Sequence, residues 1–291
     1  MSRLQPGTIL PALHDLRYSR LMPQPPVVLS IAGYDPSSGA GITADIKTAA
    51  ANGCYAVTCI TASTVQNTQG VFAVEALPPS LISQTLNVLL EDLEIAAVRI
   101  GMLASTAVAA VVNAFLDEHK LPNVVLDPVL RSSSGMPLLD ERGLDVLREM
   151  LPLCDVITPN LAEGAILAGA EPIAENSSWD DALPQILRLA AHLHDRGAKA
   201  VVITGGHLNP ANDFLSDRRS GKLVEEVFPG ERIETRSTHG TGCAFATAIA
   251  CQLALGRKLP DAVRAAKEYV HKAIVGAYPL GKGTGPLNHF G

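Results

Sequence analysis

The sequence predicts an α/β protein: a mostly parallel sheet with helices on both faces. Three observations carry this. Short apolar runs alternate with helical patterns along nearly the whole chain, and repeated strand–helix units build parallel sheets. The strand-like runs are dominated by Val, Ile, Leu and Ala, as suits strands buried on both sides. Aromatic residues make up only 4% of the chain against 47% hydrophobic, so the core must be aliphatic. A chain of 291 residues can carry such a sheet as one domain.

The elements follow in order. Residues 27–32 form a first strand ended by Gly33, and 40–52 a helix closed by Gly53, a glycine where helices commonly stop. Residues 55–62 form a strand rich in Val, Ile and Thr. Helix 81–91, strand 97–100 before Gly101, and helix 106–118 come next. Strand 123–127 stops at Pro128, helix 138–150 follows, and strand 155–158 stops at Pro159 before a helix opening over 161–167. Helix 180–196 places Leu183, Ile186, Leu187, Ala190 and Leu193 on one face and closes at Gly197. Strand 200–204 precedes two antiparallel strands, 214–223 and 225–233, around Ser220-Gly221. Two helices, 243–255 and 259–275, finish the fold.

Composition excludes several classes. The formal net charge is -6, without a long basic run, which argues against nucleic-acid binding and lipid surfaces. The apolar runs are shorter than a membrane span. Five cysteines, Cys54, Cys59, Cys154, Cys243 and Cys251, contain no CxxC pair, so neither a zinc site nor a disulfide framework is expected. Four of them read as small buried hydrophobes in a reducing cytoplasm. Residues 1–26 lack a signal-peptide pattern and read as a flexible extension to a domain over 27–291.

In open parallel sheets ligands bind outside the carboxyl ends of the strands. The polar and glycine-rich segments fall at those ends. Thr238-His239-Gly240-Thr241-Gly242-Cys243 precedes an apolar helix, so free N–H groups and the helix dipole converge on an anion. An ordinary glycine-rich cap is the alternative. Cys243 in the first helical turn is a candidate general base, since helix starts favour thiolates; a small packing residue is the alternative. Asn160 and Glu163, three residues apart at a helix start, suit water-mediated Mg²⁺ or a capping box, and the two are compatible. Asp127, ending a strand, is a second metal candidate. Thr204-Gly205-Gly206-His207 allows close approach of a nucleotide or is a plain turn. The loop from Gly33 to Gly41 fits neither a dinucleotide nor a Walker pattern. Gln66, just past the second strand, can donate and accept together, as an aminopyrimidine edge requires; a plain solvated side chain is the alternative.

Taken in order, these segments resemble the hydroxymethylpyrimidine/phosphomethylpyrimidine kinases of thiamine synthesis, in the ribokinase-like superfamily. The matching stretches run from Ile31-Ala32-Gly33 and Asp35-Pro36-Ser37 through residues 39–48, Gln66-Asn67-Thr68, Gly101-Met102-Leu103 and Asp127-Pro128-Val129. They continue through Ser134-Gly135, Thr158-Pro159-Asn160 with Glu163, Gly205-Gly206-His207 and residues 239–243 to residues 285–289. The resemblance implies a three-layer ribokinase-like sandwich, use of ATP and Mg²⁺, and a homodimer. It implies that Gln66, Gly33, Asp35, Ala40, Asp45, Met102 and Val129 meet the pyrimidine. It makes Gly240, Thr241 and Gly242 an anion hole with Cys243 as catalytic base. Asn160, Glu163 and the Gly205-Gly206 turn, with Thr204 before it, serve MgATP; Asp127 remains the second metal candidate from its place at the strand end. Three positions depart from the family pattern: Thr204 stands where Lys is common, Tyr34 replaces a small residue, and Arg131-Ser132-Ser133 differs. A pyridoxal kinase is the rival within the superfamily; a non-catalytic metabolite-binding protein is the rival from another class.

Overall fold

The structure, a computed structural model, describes residues 24–132, 135–172 and 177–290. The expected extension over 1–26 lies almost wholly outside the described residues, as do Ser133 and Ser134. One nine-stranded sheet runs β3-β2-β1-β4-β5-β6-β7-β8-β9. Its strands are β1 (Val27–Tyr34), β2 (Tyr55–Asn67), β3 (Gly70–Ala76), β4 (Ile95–Ile100), β5 (Val124–Leu126), β6 (Val156–Ile157), β7 (Ala200–Thr204), β8 (Asp213–Asp217) and β9 (Val224–Phe228). β2 to β7 in sheet order are parallel. β3, β8 and β9 pair antiparallel at the two edges.

The helices are α1 (Gly41–Ala51), α2 (Pro79–Asp92), α3 (Thr106–His119), α4 (Glu141–Met150), α5 (Leu161–Ala168), α6 (Trp179–Asp195), α7 (Thr241–Ala254) and α8 (Leu259–Val275). Strand side chains alternate between faces, and the core divides accordingly. Leu29, Ile31, Val98, Ile100, Leu126 and Ile203 join one cluster with residues of α2 to α6. Val28, Ala97, Val125 and Val202 join another with α1, α7 and α8. Each fully buried Leu or Ile contributes roughly 1.5–3 kcal/mol, so both helical layers are held by apolar burial on the same strands. This is the three-layer sandwich.

Sequence and structure differ in a few places. β2 runs on to Asn67 because β3, which the sequence reading lacked, pairs with it around Thr68-Gln69. No β3 residue is fully buried, so no strong apolar alternation marks it. Gln66 is therefore in a strand, not beyond it. On α6 the buried stripe holds Leu189, while Leu187 is exposed. α4 begins at Glu141, because the Asp140 carboxylate accepts from Gly143 N–H at 2.6 Å and caps it there. Cys54, Cys59, Cys154 and Cys251 are buried free thiols, whereas Cys243 is partly exposed.

Candidate active site

The carboxyl ends of the central strands open on one cleft of about 1320 Å³. The start of α7 forms part of its wall. Gly240 caps this helix with φ +83° and no side-chain cap hydrogen bond. A Cβ there would run into the Gly39 carbonyl, so glycine is required by both conformation and space. Helix-start N–H groups have no carbonyl a turn earlier. With Gly242 and Cys243 lining the cleft, the arrangement suits an anion better than it suits an ordinary polar cap.

Beneath α7 lies a charge cluster. Arg99 of β4 is fully buried, pairing with Asp45 at 3.0 Å and Asp127 at 2.6 Å. Ser30 and Thr247 hydroxyls also donate to Asp45, at 2.6 and 2.7 Å. Asp45 is wholly buried and does not line the cleft. This corrects its expected place beside the substrate: its oxygens are taken up by the protein. Asp127 does line the cleft.

Cys243 is not the ready thiolate its helix position suggests. Burial pushes its thiol up to about 12; Arg99 opposes this, and Asp127 and Asp45 add to it. The helix-start argument left out the acids that other elements bring underneath. Glu163 behaves similarly. Burial, then the charge of Asp127, pushes it up to about 8, against backbone hydrogen bonds from Asn160 and Leu130. Asn160 and Glu163 form a full capping box, Asn160 N–H to Glu163 at 3.0 Å and Glu163 N–H to Asn160 at 2.9 Å. Both the capping and the ligand-facing readings are thus compatible, since both residues line the cleft.

Asp127 and Glu163 both line the cleft, and the charge of Asp127 raises Glu163. No group of three or more metal-ligating side chains occurs among the described residues. One or two carboxylates are the donor set Mg²⁺ usually takes from a protein, alongside waters and phosphate oxygens.

At the nucleotide side Thr204 and Gly206 line the cleft, but Gly205 does not. A Cβ on Gly205 would strike the Asn212 carbonyl, with the Trp179 ring close behind. Its N–H donates to Asp213 at 3.0 Å. Gly205 is thus needed for packing of β7 on β8, which corrects its expected role as a nucleotide contact. Lys267 of α8 lines the same region, bonded to Asp213 at 2.6 Å and the Ala211 carbonyl at 2.9 Å.

At the other end Gly33, Asp35, Ala40, Gln66, Met102 and Val129 all line the cleft, as does Tyr34. Asp35 accepts from the N–H groups of Ser37, Gly39 and Ala40, from the Ser37 hydroxyl and from His239 Nε2. Burial would raise its pKa, but the bonds from His239 and Ser37 hold it below the ordinary range. It shapes the loop from within. A register shift in the β2–β3 ladder between Val65 and Gln66 leaves Phe72 of β3 unpaired, so β2 keeps its own alternation through Gln66.

The sequence reading missed Arg99, Lys267 and the joining role of His239. Arg99 had a signal: a lone charge inside the apolar run Ala96-Ala97-Val98-Arg99-Ile100. A charge there must be paired when buried. Lys267 had none, since it sits among other charges on an amphipathic helix.

The fold is ribokinase-like, and its cleft brings together a glycine-rich helix start, the acids Asp127 and Glu163, and Gln66. The chain belongs to the phosphomethylpyrimidine kinase family, whose pattern it matches over residues 35–288. It is 41% identical to the hydroxymethylpyrimidine/phosphomethylpyrimidine kinase of Aquifex aeolicus, covering 88% of this chain and 97% of that one. Two further relatives are bifunctional thiamine-biosynthesis proteins of Geobacter sulfurreducens and Arabidopsis thaliana; the chain spans only 52% and 50% of their length. Among solved structures, the ADP complex of Bacillus subtilis pyridoxal kinase aligns with TM-score 0.80 and 34% identity, covering 91% of this chain and 98% of that one. The phosphomethylpyrimidine kinase of Clostridium difficile aligns with TM-score 0.72 and 34% identity, covering 86% and 99%.

Proposed function

We propose that this protein transfers the γ-phosphoryl group of ATP to the hydroxymethyl oxygen of 4-amino-5-hydroxymethyl-2-methylpyrimidine, and then phosphorylates the monophosphate to the diphosphate, in thiamine biosynthesis. The observation that carries it is the set of groups brought to one cleft: Gln66, an amide able to read an aminopyrimidine edge, the glycine-rich start of α7 with Cys243, the acids Asp127 and Glu163, and Thr204 and Gly206 of the nucleotide turn. The names of the relatives support this reading.

In this reading Gln66, Met102 and Val129 hold the ring, with Gly33 and Ala40 leaving it room. Asp35 fixes their loop. Backbone N–H groups of Gly240 to Cys243 stabilise charge on the phosphoryl group in flight. Cys243 takes the hydroxyl proton as the oxygen attacks. Burial outweighs the pull of Arg99 at this thiol, so ionising it calls for further positive charge, which a bound Mg²⁺ would supply. Asn160, Glu163, Thr204 and Gly206 face the nucleotide. Glu163 and Asp127 would hold Mg²⁺, which when bound neutralises phosphate charge. A homodimer over residues 27–291 belongs to the same reading; Val65 and Phe72, each 62% exposed on the β2–β3 arm, offer it apolar surface. No helix among the described residues is long and apolar enough to cross a membrane.

A second reading, pyridoxal phosphorylation, is favoured by one observation: the Bacillus subtilis pyridoxal kinase is as similar in sequence as the Clostridium difficile pyrimidine kinase. Steady-state kinetics with MgATP decide between them. The expected result is a kcat/KM for the hydroxymethylpyrimidine well above that for pyridoxal. The reverse order would replace the first reading with the second. Absence of turnover with either would favour a binding protein.

A further inference from the structure

We propose that His239 is a specificity-determining positioning residue: its Nε2–H, shared between Asp35 and Gln66, fixes which way round the Gln66 amide faces the substrate ring. This rests on the pyrimidine reading above. His239 immediately precedes the anion-binding loop, yet its ring lies against Gly39 in the substrate loop. His239 Nε2 is 2.8 Å from Asp35 Oδ2 and 3.1 Å from the Gln66 amide nitrogen Nε2. Thr64 Oγ1 is 3.1 Å from the Tyr34 carbonyl and 3.0 Å from Gln66 Oε1.

Counting hydrogens decides the arrangement. Asp35 already collects N–H and O–H donors and is held ionised. A bare Nε2 lone pair facing it at 2.8 Å would set two acceptors against each other. The Nε2 of His239 therefore carries the proton. An amide N–H of Gln66 pointing at that proton would then set donor against donor. At Thr64 the opposite fault appears: one hydroxyl hydrogen faces two acceptors, Tyr34 O and Gln66 Oε1. Turning the Gln66 amide over removes the donor–donor clash and frees the Thr64 hydrogen for Tyr34 O, and it leaves the single His239 Nε2–H as a three-centre bond between Asp35 Oδ2 at 2.8 Å and Gln66 at 3.1 Å. Amide oxygen and nitrogen are told apart by such networks. Gln66 Oε1 then accepts from His239 Nε2–H, Gln66 Nε2 donates to Thr64 Oγ1, and Thr64 donates to Tyr34 O.

The pinned amide keeps one N–H and one oxygen lone pair for a ligand, in a set order. That pair suits an edge with a ring nitrogen acceptor beside an exocyclic amino donor. The reversed amide would offer the same groups in the opposite order and misread that edge. Thr64 and Gln66 share one face of β2, two residues apart, so strand geometry and His239 hold the amide from both sides.

Two measurements test this on the full chain. In ¹⁵N-labelled wild-type protein, imidazole spectra, with His239 assigned by its loss in His239→Gln, should show the Nε2–H tautomer. The Nδ1–H tautomer would overturn the proposal whether or not any variant folds or any substrate is turned over. Calorimetry without nucleotide then compares the aminopyrimidine with its analogue carrying hydrogen in place of the amino group. His239→Phe, which keeps ring bulk but has no N–H, should lower the wild-type preference roughly ten-fold, about the worth of one hydrogen bond. His239→Gln, which restores a donor, should recover most of it. Affinity for a non-hydrolysable ATP analogue should stay within about two-fold in both. An unchanged preference in His239→Phe, or equal losses in both variants, would show a structural role only. If wild-type protein binds neither pyrimidine, the substrate reading fails, and an Nδ1–H tautomer would overturn the role of His239 independently of that failure.

Discussion

Asp45 and Glu163 are both acids drawn into the protein, and their surroundings differ in one respect. Asp45 meets a full complement: the Arg99 guanidinium and the hydroxyls of Ser30 and Thr247. Glu163 meets two backbone N–H groups and another acid, Asp127. Asp45 has its countercharge in direct contact, whereas Glu163 reaches one only through Asp127, which Arg99 holds at 2.6 Å. A buried ion network satisfied by protein groups is architecture. An acid without a cation in contact leaves room for the Mg²⁺ proposed above. Asp127 belongs to both surroundings, tied to Arg99 on one side and facing the cleft on the other. Cys243 sits over that junction.

The largest effect is expected at the junction. Cys243→Ala should leave folding and ATP-analogue binding nearly intact and lower kcat by roughly 10²- to 10⁴-fold, the usual weight of a general base. Rapid-quench measurement isolates the chemical step. A chemical rate near that of the wild type would remove Cys243 from catalysis and leave it as packing over Asp127.

Next comes the closed cluster. Arg99→Met removes the cation that bridges Asp45 and Asp127. Breaking a buried pair by deleting one partner costs about 3–5 kcal/mol, because a charge is left uncompensated. Urea unfolding of the variant should show a loss of that order. Pairing it with Asp45→Asn should recover part of it, since the stranded carboxylate is gone. No recovery in the double variant would mean that Asp45 is not where the cost lies.

The same contrast explains what could be read in the sequence. Elements whose apolar residues are buried along most of their length, such as β1, β7 and α8, announce themselves by periodicity, and α8 runs over the same residues in both readings. The β2–β3 arm is half exposed, and its pattern is correspondingly weak. Cleft residues on loops between such elements were legible because topology puts strand ends together. Asp45 and Gly205 were misplaced for a shared reason. Each is next to the cleft in sequence, but its direction is set by a distant partner: Arg99 and Thr247 for Asp45, Asn212 for Gly205. One-dimensional spacing does not carry that information. Nor does it carry pKa: the thiol of Cys243 depends on acids from α1 and the end of β5 as much as on its own helix.

The smallest effect, and the most direct probe of the open cluster, concerns Glu163 and pH. Its pKa is raised from an ordinary 4.5 to about 8, by burial first and Asp127 second. Below 4.5 the group is protonated both folded and unfolded, and pH does not touch the balance. Between 4.5 and about 8 the folded chain keeps a proton that the unfolded chain has released. The unfolded state then binds fewer protons, so stability falls as pH rises and levels off above about 8. Glu163→Gln keeps the capping bond, because a Gln carbonyl accepts from Asn160 N–H as Glu does, and it removes the titration. In EDTA, thermal unfolding of the wild type should therefore lose more Tm across this window than the variant does. Asp127 contributes a slope of the same sign and is coupled to Glu163, so the difference between the two curves reports the Glu163 charge together with its effect on Asp127. Mg²⁺ requires the carboxylate, and its binding should release a proton. Added Mg²⁺ should thus raise the wild-type Tm most near the upper end of the window and change the variant less. Parallel curves for the two proteins, with and without Mg²⁺, would show that Glu163 is already ionised and neutralised, and the contrast with Asp45 would collapse.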